Sequence, residues 1–301
     1  MTLSILWRSE GRLHLASDSR ISFGSGRSAD VGVKIMRLPI RVRDTSLDKG
    51  GQLHVLFDKT YGFCYAGSLA NAATFQQLVA DLLIDVQYLN ADVPLSFDEL
   101  CKFLCRFSSK VSTEIVSSLF EQGTYTFFVA GWCPSTEQLR GAKFSLVQDA
   151  GRTRASYLEV VQDTGQYLAV GTGAEEFKTL IAGREVTTDA VLLTLNRIID
   201  EQKVDTVGGD IQYGSFLKGG DFAVYGITRI SVESAFESGN QYGPSELHVM
   251  RYRGLELYGE WLVPGDNLWP TPGFIELTVP SNVASEQRFI AQCRKTAAGG
   301  A

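Results

Sequence analysis

Apolar and polar positions alternate at period two from the start of the chain. Leu3, Ile5 and Trp7 share one face, and after Glu10-Gly11 the residues Leu13, Leu15 and Ser17 resume the rhythm. Such alternation across a two-residue turn predicts a β-hairpin beginning at the very N-terminus. Alternating runs follow at 35–43 and 52–66, separated by the turn-rich stretch 44–51. The spacing then becomes helical. Leu69, Ala73, Phe75, Leu78, Val79, Leu82, Leu83 and Val86 predict a helix over 69–89. Ser96 with Glu99 has the form of a capping box, ahead of a stripe of Leu100, Leu104, Phe107, Val111 and Ile115 that carries a second helix to about Phe120. Strands are predicted over 124–131, 142–148 and 155–162, and Gly171-Thr172-Gly173 opens a short helix to about 182. A Thr-capped helix covers 188–202, with Val191, Leu195, Ile198 and Ile199 inward, before strands at 221–231 and 246–262. Two helix pairs bracketing sets of strands predict an α+β fold of four layers, with sheets packed on each other and helices outside.

Composition narrows the partners. At 301 residues the chain is long enough for one domain with an extension, and 44% hydrophobic against 21% charged residues allows a sizeable core. A net charge of −6 gives no support to a nucleic-acid or anionic-membrane partner. No apolar stretch approaches the roughly 18 residues that a membrane helix needs, and no signal peptide is expected ahead of Thr2. The five cysteines are odd in number and irregularly spaced, which reads as reduced thiols in a cytoplasmic protein. Cys101 and Cys105, one helical turn apart, read as core or interface residues. The three histidines are scattered, so neither a metal site nor a cofactor is expected. Beyond about residue 231 the character changes: 237–244 reads as loop, and 262–273 is rich in Pro and Gly. Trp261 and Trp269 in this part either cover an edge of the fold or dock a neighbouring subunit.

The candidate chemistry lies in the first thirty-four residues. Thr2 follows Met1, Asp18 stands in Ala-Ser-Asp-Ser-Arg (16–20), and Lys34 follows at the same sixteen-residue interval that separates Thr2 from Asp18. Removal of Met1 would leave a threonine carrying its hydroxyl and a free α-amine together. An α-amine titrates near about 7.7–8.0, so such a residue brings its own general base. A nearby lysine would favour the deprotonated forms, and an aspartate would hold that lysine. With this order and spacing the sequence resembles the N-terminal-nucleophile hydrolases, specifically proteasome β-type subunits.

That resemblance implies the four-layer αββα sandwich of the family and an acyl-transfer site. In Cys-Tyr-Ala-Gly-Ser-Leu-Ala-Asn (64–71), Gly67 matches the glycine whose N–H serves the oxyanion. In Ala-Val-Gly-Thr-Gly (169–173), Thr172 falls where the family usually has a serine contacting the nucleophile's amine. In Asp-Thr-Val-Gly-Gly-Asp (205–210), Asp205 matches an aspartate of the site, while Gly208 stands in place of a serine and Thr206 is the alternative hydroxyl. Thr-Val-Gly-Gly-Asp-Ile (206–211) is similar to the form found in the bacterial ancestral β-subunit branch, Anbu. The resemblance covers about residues 2–231, interrupted by an insertion at about 37–58, and leaves 232–301 as a C-terminal extension. It implies a cytoplasmic threonine peptidase or amidase acting on peptides or proteins and a homo-oligomer in the form of a ring or spiral, and it leaves open whether there is an ATPase partner. Two alternatives stay open: a non-catalytic subunit of a proteasome-like assembly, and an amidase for small acyl-amides. The assembly is expected to use the helical layers, since Phe97, Phe103, Phe107 and Phe120 with Leu104 and Cys101 give the second helix more apolar surface than one stripe needs.

Overall fold

The N-terminal alternation becomes a hairpin. Strands β1 (Leu3–Ser9) and β2 (Arg12–Asp18) pair antiparallel across Glu10 and Gly11, whose φ of 49° and 72° suit a two-residue turn between twisted strands. The structure, a computed structural model, describes residues 2–23, 26–47, 53–89, 94–119, 123–149, 152–231, 250–253, 255–256 and 272–279. A short ribbon, β3 (Ile21–Phe23) with β4 (Arg27–Ala29), follows the hairpin. The long strands β5 (Ile35–Leu47) and β6 (Leu53–Gly67) then pair with each other. The described residues within 37–58 therefore belong to these two paired strands.

Helix α1 (Leu69–Leu83) starts at Ser68, whose hydroxyl accepts from Asn71 N. It stops six residues short of the predicted end, because β7 (Val86–Gln87) pairs parallel with β5 and Tyr88 N donates to Arg43 O. Helix α2 (Phe97–Leu119) has Ser96 Oγ accepting from Glu99 N, one half of the predicted box. The strands β8 (Tyr125–Cys133), β9 (Gln138–Asp149) and β10 (Arg152–Val160) form a meander. The last of them ends before the predicted 162, because Val161 takes φ 58° while its carbonyl accepts from Arg8 Nε. After β11 (Tyr167–Gly171) come α3 (Ala174–Ile181) and α4 (Thr188–Glu201), the latter capped by Thr187 Oγ1 accepting from Ala190 N. The last described elements are β12 (Ile211–Phe216), β13 (Phe222–Ser231), β14 (Met250–Tyr252), β15 (Leu255–Glu256) and β16 (Phe274–Val279).

Among the described residues these strands form an eight-stranded sheet in the order β11-β1-β2-β12-β13-β14-β15, with β16 parallel to β13, and a six-stranded sheet ordered β10-β9-β8-β6-β5-β7. Within the predicted strand over 246–262, the described residues form the short β14 and β15, with Arg253 at φ 55° after the first. Trp261 and Trp269 lie outside the described residues. Strands β12 and β16 were not predicted, and both join the eight-stranded sheet.

Three apolar clusters hold the elements. Leu3, Ile5 and Trp7 pack under Phe177, Leu192, Leu195 and Ile199 of α3 and α4. Leu6, Leu13 and Leu15 face the other way, against Cys64, Phe128 and Phe222, so β1 is buried on both sides. Phe63, Phe127 and Phe144 meet Phe75, Leu100 and Leu104 of α1 and α2. The fold is thus mixed α+β, with several sheets and four helices among the described residues. The expectation of a spare apolar face on α2 fails. Phe97, Cys101 and Leu104 are buried, and Phe103 and Phe107 pack on the same cluster, Phe120 lying outside the described residues. The reason is that α2 lies along β10 as well as α1: Cys105 Sγ donates to Ala155 O and Ser109 Oγ accepts from Ala155 N. On these two helices the exposed large apolar side chains are Leu78 and Leu82 of α1 and Leu119 at the end of α2.

One buried polar group ties stability to pH. The His14 ring stacks on Trp7 and is 5% exposed, with Nδ1 against Tyr213 Oη at 2.9 Å and Nε2 against Ser9 Oγ at 3.2 Å. Burial pushes its pKa down to about 4 from the ordinary 6.5. The unfolded chain therefore binds this proton first on acidification, and stability is lost as pH falls from about 6.5 towards 4. At about 1.4 kcal/mol per pKa unit, urea unfolding should show a loss of roughly 2 kcal/mol between pH 7 and pH 4.5, over and above the loss shown by a His14→Gln variant. Parallel pH profiles for the two proteins would contradict this assignment.

Candidate active site

The first strand of the eight-stranded sheet, the turn after the second, and the loop before β12 converge on the Asp18 carboxylate. Asp18 closes β2 and is 0% exposed. Its Oδ1 accepts from Leu3 N at 2.9 Å and from Lys34 Nζ at 2.9 Å. Its Oδ2 accepts from Arg20 N at 3.2 Å and from Gly208 N at 3.1 Å. These four donors occupy the acceptor sites a carboxylate offers, which is the condition for keeping it charged away from water. Lys34 is 2% exposed, and burial lowers its pKa while the Asp18 charge beside it opposes the shift. A lysine so placed gives up its proton more readily than one in water, yet stays paired.

Thr2 immediately precedes the amide that binds Asp18, and is 3% exposed. Its carbonyl approaches the backbone of Gly171 so closely that a Cβ there would lie 1.8 Å from Thr2 O and 3.3 Å from the Ala66 methyl. Gly171 also has φ 101°, so both space and conformation demand glycine. Residue 2, the end of β11 and the end of β6 therefore meet at one point. Gly67 ends β6 at φ 118°, where a Cβ would meet Thr124 O at 2.6 Å, and the chain passes directly into the Ser68 cap of α1.

The remaining candidates lie around this centre. Thr172 follows Gly171 and its hydroxyl is 2.5 Å from that of Thr206, so the two candidate hydroxyls form a pair on the exposed side. Asp205 meets Arg20 rather than Asp18: its backbone carbonyl accepts from Arg20 Nη1 at 3.3 Å. Arg20 is held by a bidentate pair with Asp30, which raises the arginine's pKa and lowers the aspartate's. Gly208, standing where a serine was expected, acts through its backbone. Its N–H serves Asp18 and its carbonyl accepts from Ser19 N and Arg20 N.

Several groups at this centre escaped the sequence reading. Gln212, in β12, is 0% exposed and hydrogen-bonds to the backbone on both sides of the Asp18–Lys34 pair. Its one signal was a glutamine inside the apolar run Ile-Gln-Tyr-Gly-Ser-Phe (211–216), which was not recognised as a strand. Ser17 Oγ donates to Leu3 O and approaches Ser4 Oγ, which itself donates to Tyr65 O, so two small hydroxyls fasten the β1–β2 pair to β6. Cys64 lies fully buried near Lys34, and burial pushes its thiol up to about 12, which keeps it uncharged. No group of metal-ligating side chains occurs among the described residues, and no helix there is long and apolar enough to cross a membrane.

No protein-family model matches the chain, and no curated protein is similar to it. Among solved structures it is similar to one described as the helical assembly of the Anbu complex from Pseudomonas aeruginosa, at 16% identity over 71% of this chain and 80% of that one, with a TM-score of 0.50. Anbu, the ancestral β-subunit, from Yersinia bercovieri is 18% identical over 71% of this chain and 81% of that one, with a TM-score of 0.49. At such identities the likeness concerns the fold alone, which is similar to that of Anbu.

The pair's geometry makes an asymmetric prediction about stability. Asp18→Ala leaves a buried lysine with no counter-charge, and removal of one partner from such a pair costs about 3–5 kcal/mol. Lys34→Met leaves Asp18 with three backbone N–H donors and should cost clearly less. Thermal unfolding of both variants and of the double variant checks this, the double variant losing clearly less stability than the sum of the two single losses. Additive losses would mean that the pair does not act as one unit.

Proposed function

We propose that this chain is a threonine-dependent peptidase or amidase of the proteasome β type, with Thr2 as nucleophile once Met1 is removed. The observation that carries the reading is the buried Asp18–Lys34 pair, bound to the amide of the residue that follows Thr2. Thr2 Oγ attacks an amide carbonyl while its own α-amine takes the hydroxyl proton, directly or through one water. Lys34, oriented by Asp18, adds positive charge that favours the alkoxide. Gly67 N–H serves the developing oxyanion. The tetrahedral intermediate collapses by expelling the amine, which leaves with a proton, and an ester to Thr2 remains for water to cleave. Thr172, paired with Thr206, and Asp205, acting through Arg20, orient the α-amine side of the site.

The same reading takes the two sheets and the helices on either side as the αββα sandwich of N-terminal-nucleophile hydrolases, with residues 1–231 as the core and 232–301 as an extension. It places the enzyme in the cytoplasm as a homo-oligomer. The helical assembly described for the Pseudomonas aeruginosa protein supports an open spiral over a closed ring. A second reading, a non-catalytic subunit of such an assembly, draws support from Gly208 in place of a serine and from the burial of Thr2.

A peptide epoxyketone separates the two. It needs a hydroxyl and a free amine on one residue to close its ring, so mass spectrometry should find the adduct on Thr2. Lys34→Ala should then lower kcat by about 10²–10⁴-fold, the range typical of proton-transfer groups, and Thr2→Ala should abolish turnover without changing the fold. Labelling of a cysteine, or of nothing, favours the non-catalytic subunit.

A further inference from the structure

Lys34 belongs to no strand of the eight-stranded sheet, yet its ammonium must stay within 2.9 Å of Asp18. Asp18 pairs with Ile211 of β12 in the sheet register, while Lys34 arrives on the irregular segment 30–34 that leads into β5. Part of that segment is held at its start: Gly32 N donates to Ser19 O, and Tyr65 Oη donates to Val33 O. At Lys34 itself the anchor is a side chain. Gln212 Oε1 accepts from Lys34 N at 3.0 Å and from Ile35 N at 3.3 Å. Gln212 Nε2 donates to Gly32 O at 2.5 Å and to Asp18 O at 3.4 Å. Two N–H groups meet the amide oxygen and two carbonyls meet the amide nitrogen, so the primary amide has all its partners and the reverse orientation would set like against like.

We infer that Gln212 is the positioning residue for the Asp18–Lys34 pair, its amide standing in for the β-ladder that segment 32–35 does not form with β2. It acts on catalysis through Lys34 and touches no substrate. The catalytic consequence rests on the reading of Thr2 as nucleophile, whereas the placement of Lys34 does not. The interaction has a narrow chemistry. A carboxylate at 212 would accept but not donate, a thioether would do neither, and asparagine would fall one methylene short. Without the amide, segment 32–35 loses its hold on β12 and water reaches Lys34 Nζ. Burial is the main cause of the lowered Lys34 pKa, and the charged and titratable groups around it are Asp18, Cys64, Arg20 and, further out, Asp30.

The test compares the full-length protein with Gln212→Met, which keeps the length of the side chain and removes the four hydrogen bonds. In protein labelled with ¹³C at lysine Cε, NMR titration should show Lys34 below the other lysines, and in Gln212→Met its midpoint should move up towards theirs. Turnover of a fluorogenic peptide amide should show kcat reduced at least tenfold with KM little changed. A folded Gln212→Met protein with the wild-type Lys34 titration and wild-type kcat overturns the inference. Should that variant fail to fold, hydrogen exchange in the wild type decides: Lys34 and Ile35 amides exchanging as slowly as those of β2 support it, and fast exchange at both overturns it. Absence of any turnover in the wild type would instead count against the proposed hydrolysis, and the lysine titration would still judge Gln212.

Discussion

Everything near the N-terminus answers to one buried ion pair. A carboxylate and an ammonium removed from water are costly unless each lone pair and proton finds a partner. Asp18 meets that condition by drawing in Leu3 N from β1, Arg20 N from the turn after β2, Gly208 N from the loop before β12, and Lys34 from the approach to β5. Segments far apart in sequence must therefore arrive in one register for the charge to be satisfied. Breaking one contact leaves the others facing an uncompensated charge, so the arrangement forms as a unit or not at all.

The consequence for residue 2 is positional. A chain terminus usually frays, but β1 is flanked by β2 and β11 and buried on both faces by separate apolar clusters. Leu3 is fixed to Asp18 through its amide and to Ser17 through its carbonyl. The Thr2 carbonyl lies against Gly171, where no side chain has room. Packing from α3 and α4 and polar contacts from β2 and β6 thus converge on holding residue 2 still, which is the requirement for an α-amine and hydroxyl to act as aligned groups.

Much of this was readable from residue order because it rests on local periodicity. The N-terminal hairpin, the caps at Ser96 and Thr187, and the inward stripe of α4 all follow from spacing within a few turns or strands. The sixteen-residue intervals likewise brought Asp18 and Lys34 into one reading, and the two side chains do pair. What escaped depends on partners distant in sequence. Strand β12 carries Gln212 and Gly214 where an isolated strand would carry branched apolar residues, because Gln212 serves the Lys34 segment and Gly214 lies under the Phe222 ring. The helix over 69–89 was drawn too long because nothing nearby announces that Val86 pairs with Val42 of β5. The aromatic surface of α2 looked excessive only while β10 was not known to lie beside it.

The proposed chemistry requires the Asp18–Lys34 pair to act on Thr2. A high-resolution crystal structure of the purified protein lacking Met1 tests this most directly. Lys34 Nζ should then be shared between Asp18 and Thr2 Oγ, each within hydrogen-bonding distance of about 3 Å. A structure in which the Thr2 hydroxyl turns into the core, with Lys34 bound to Asp18 alone, would contradict it.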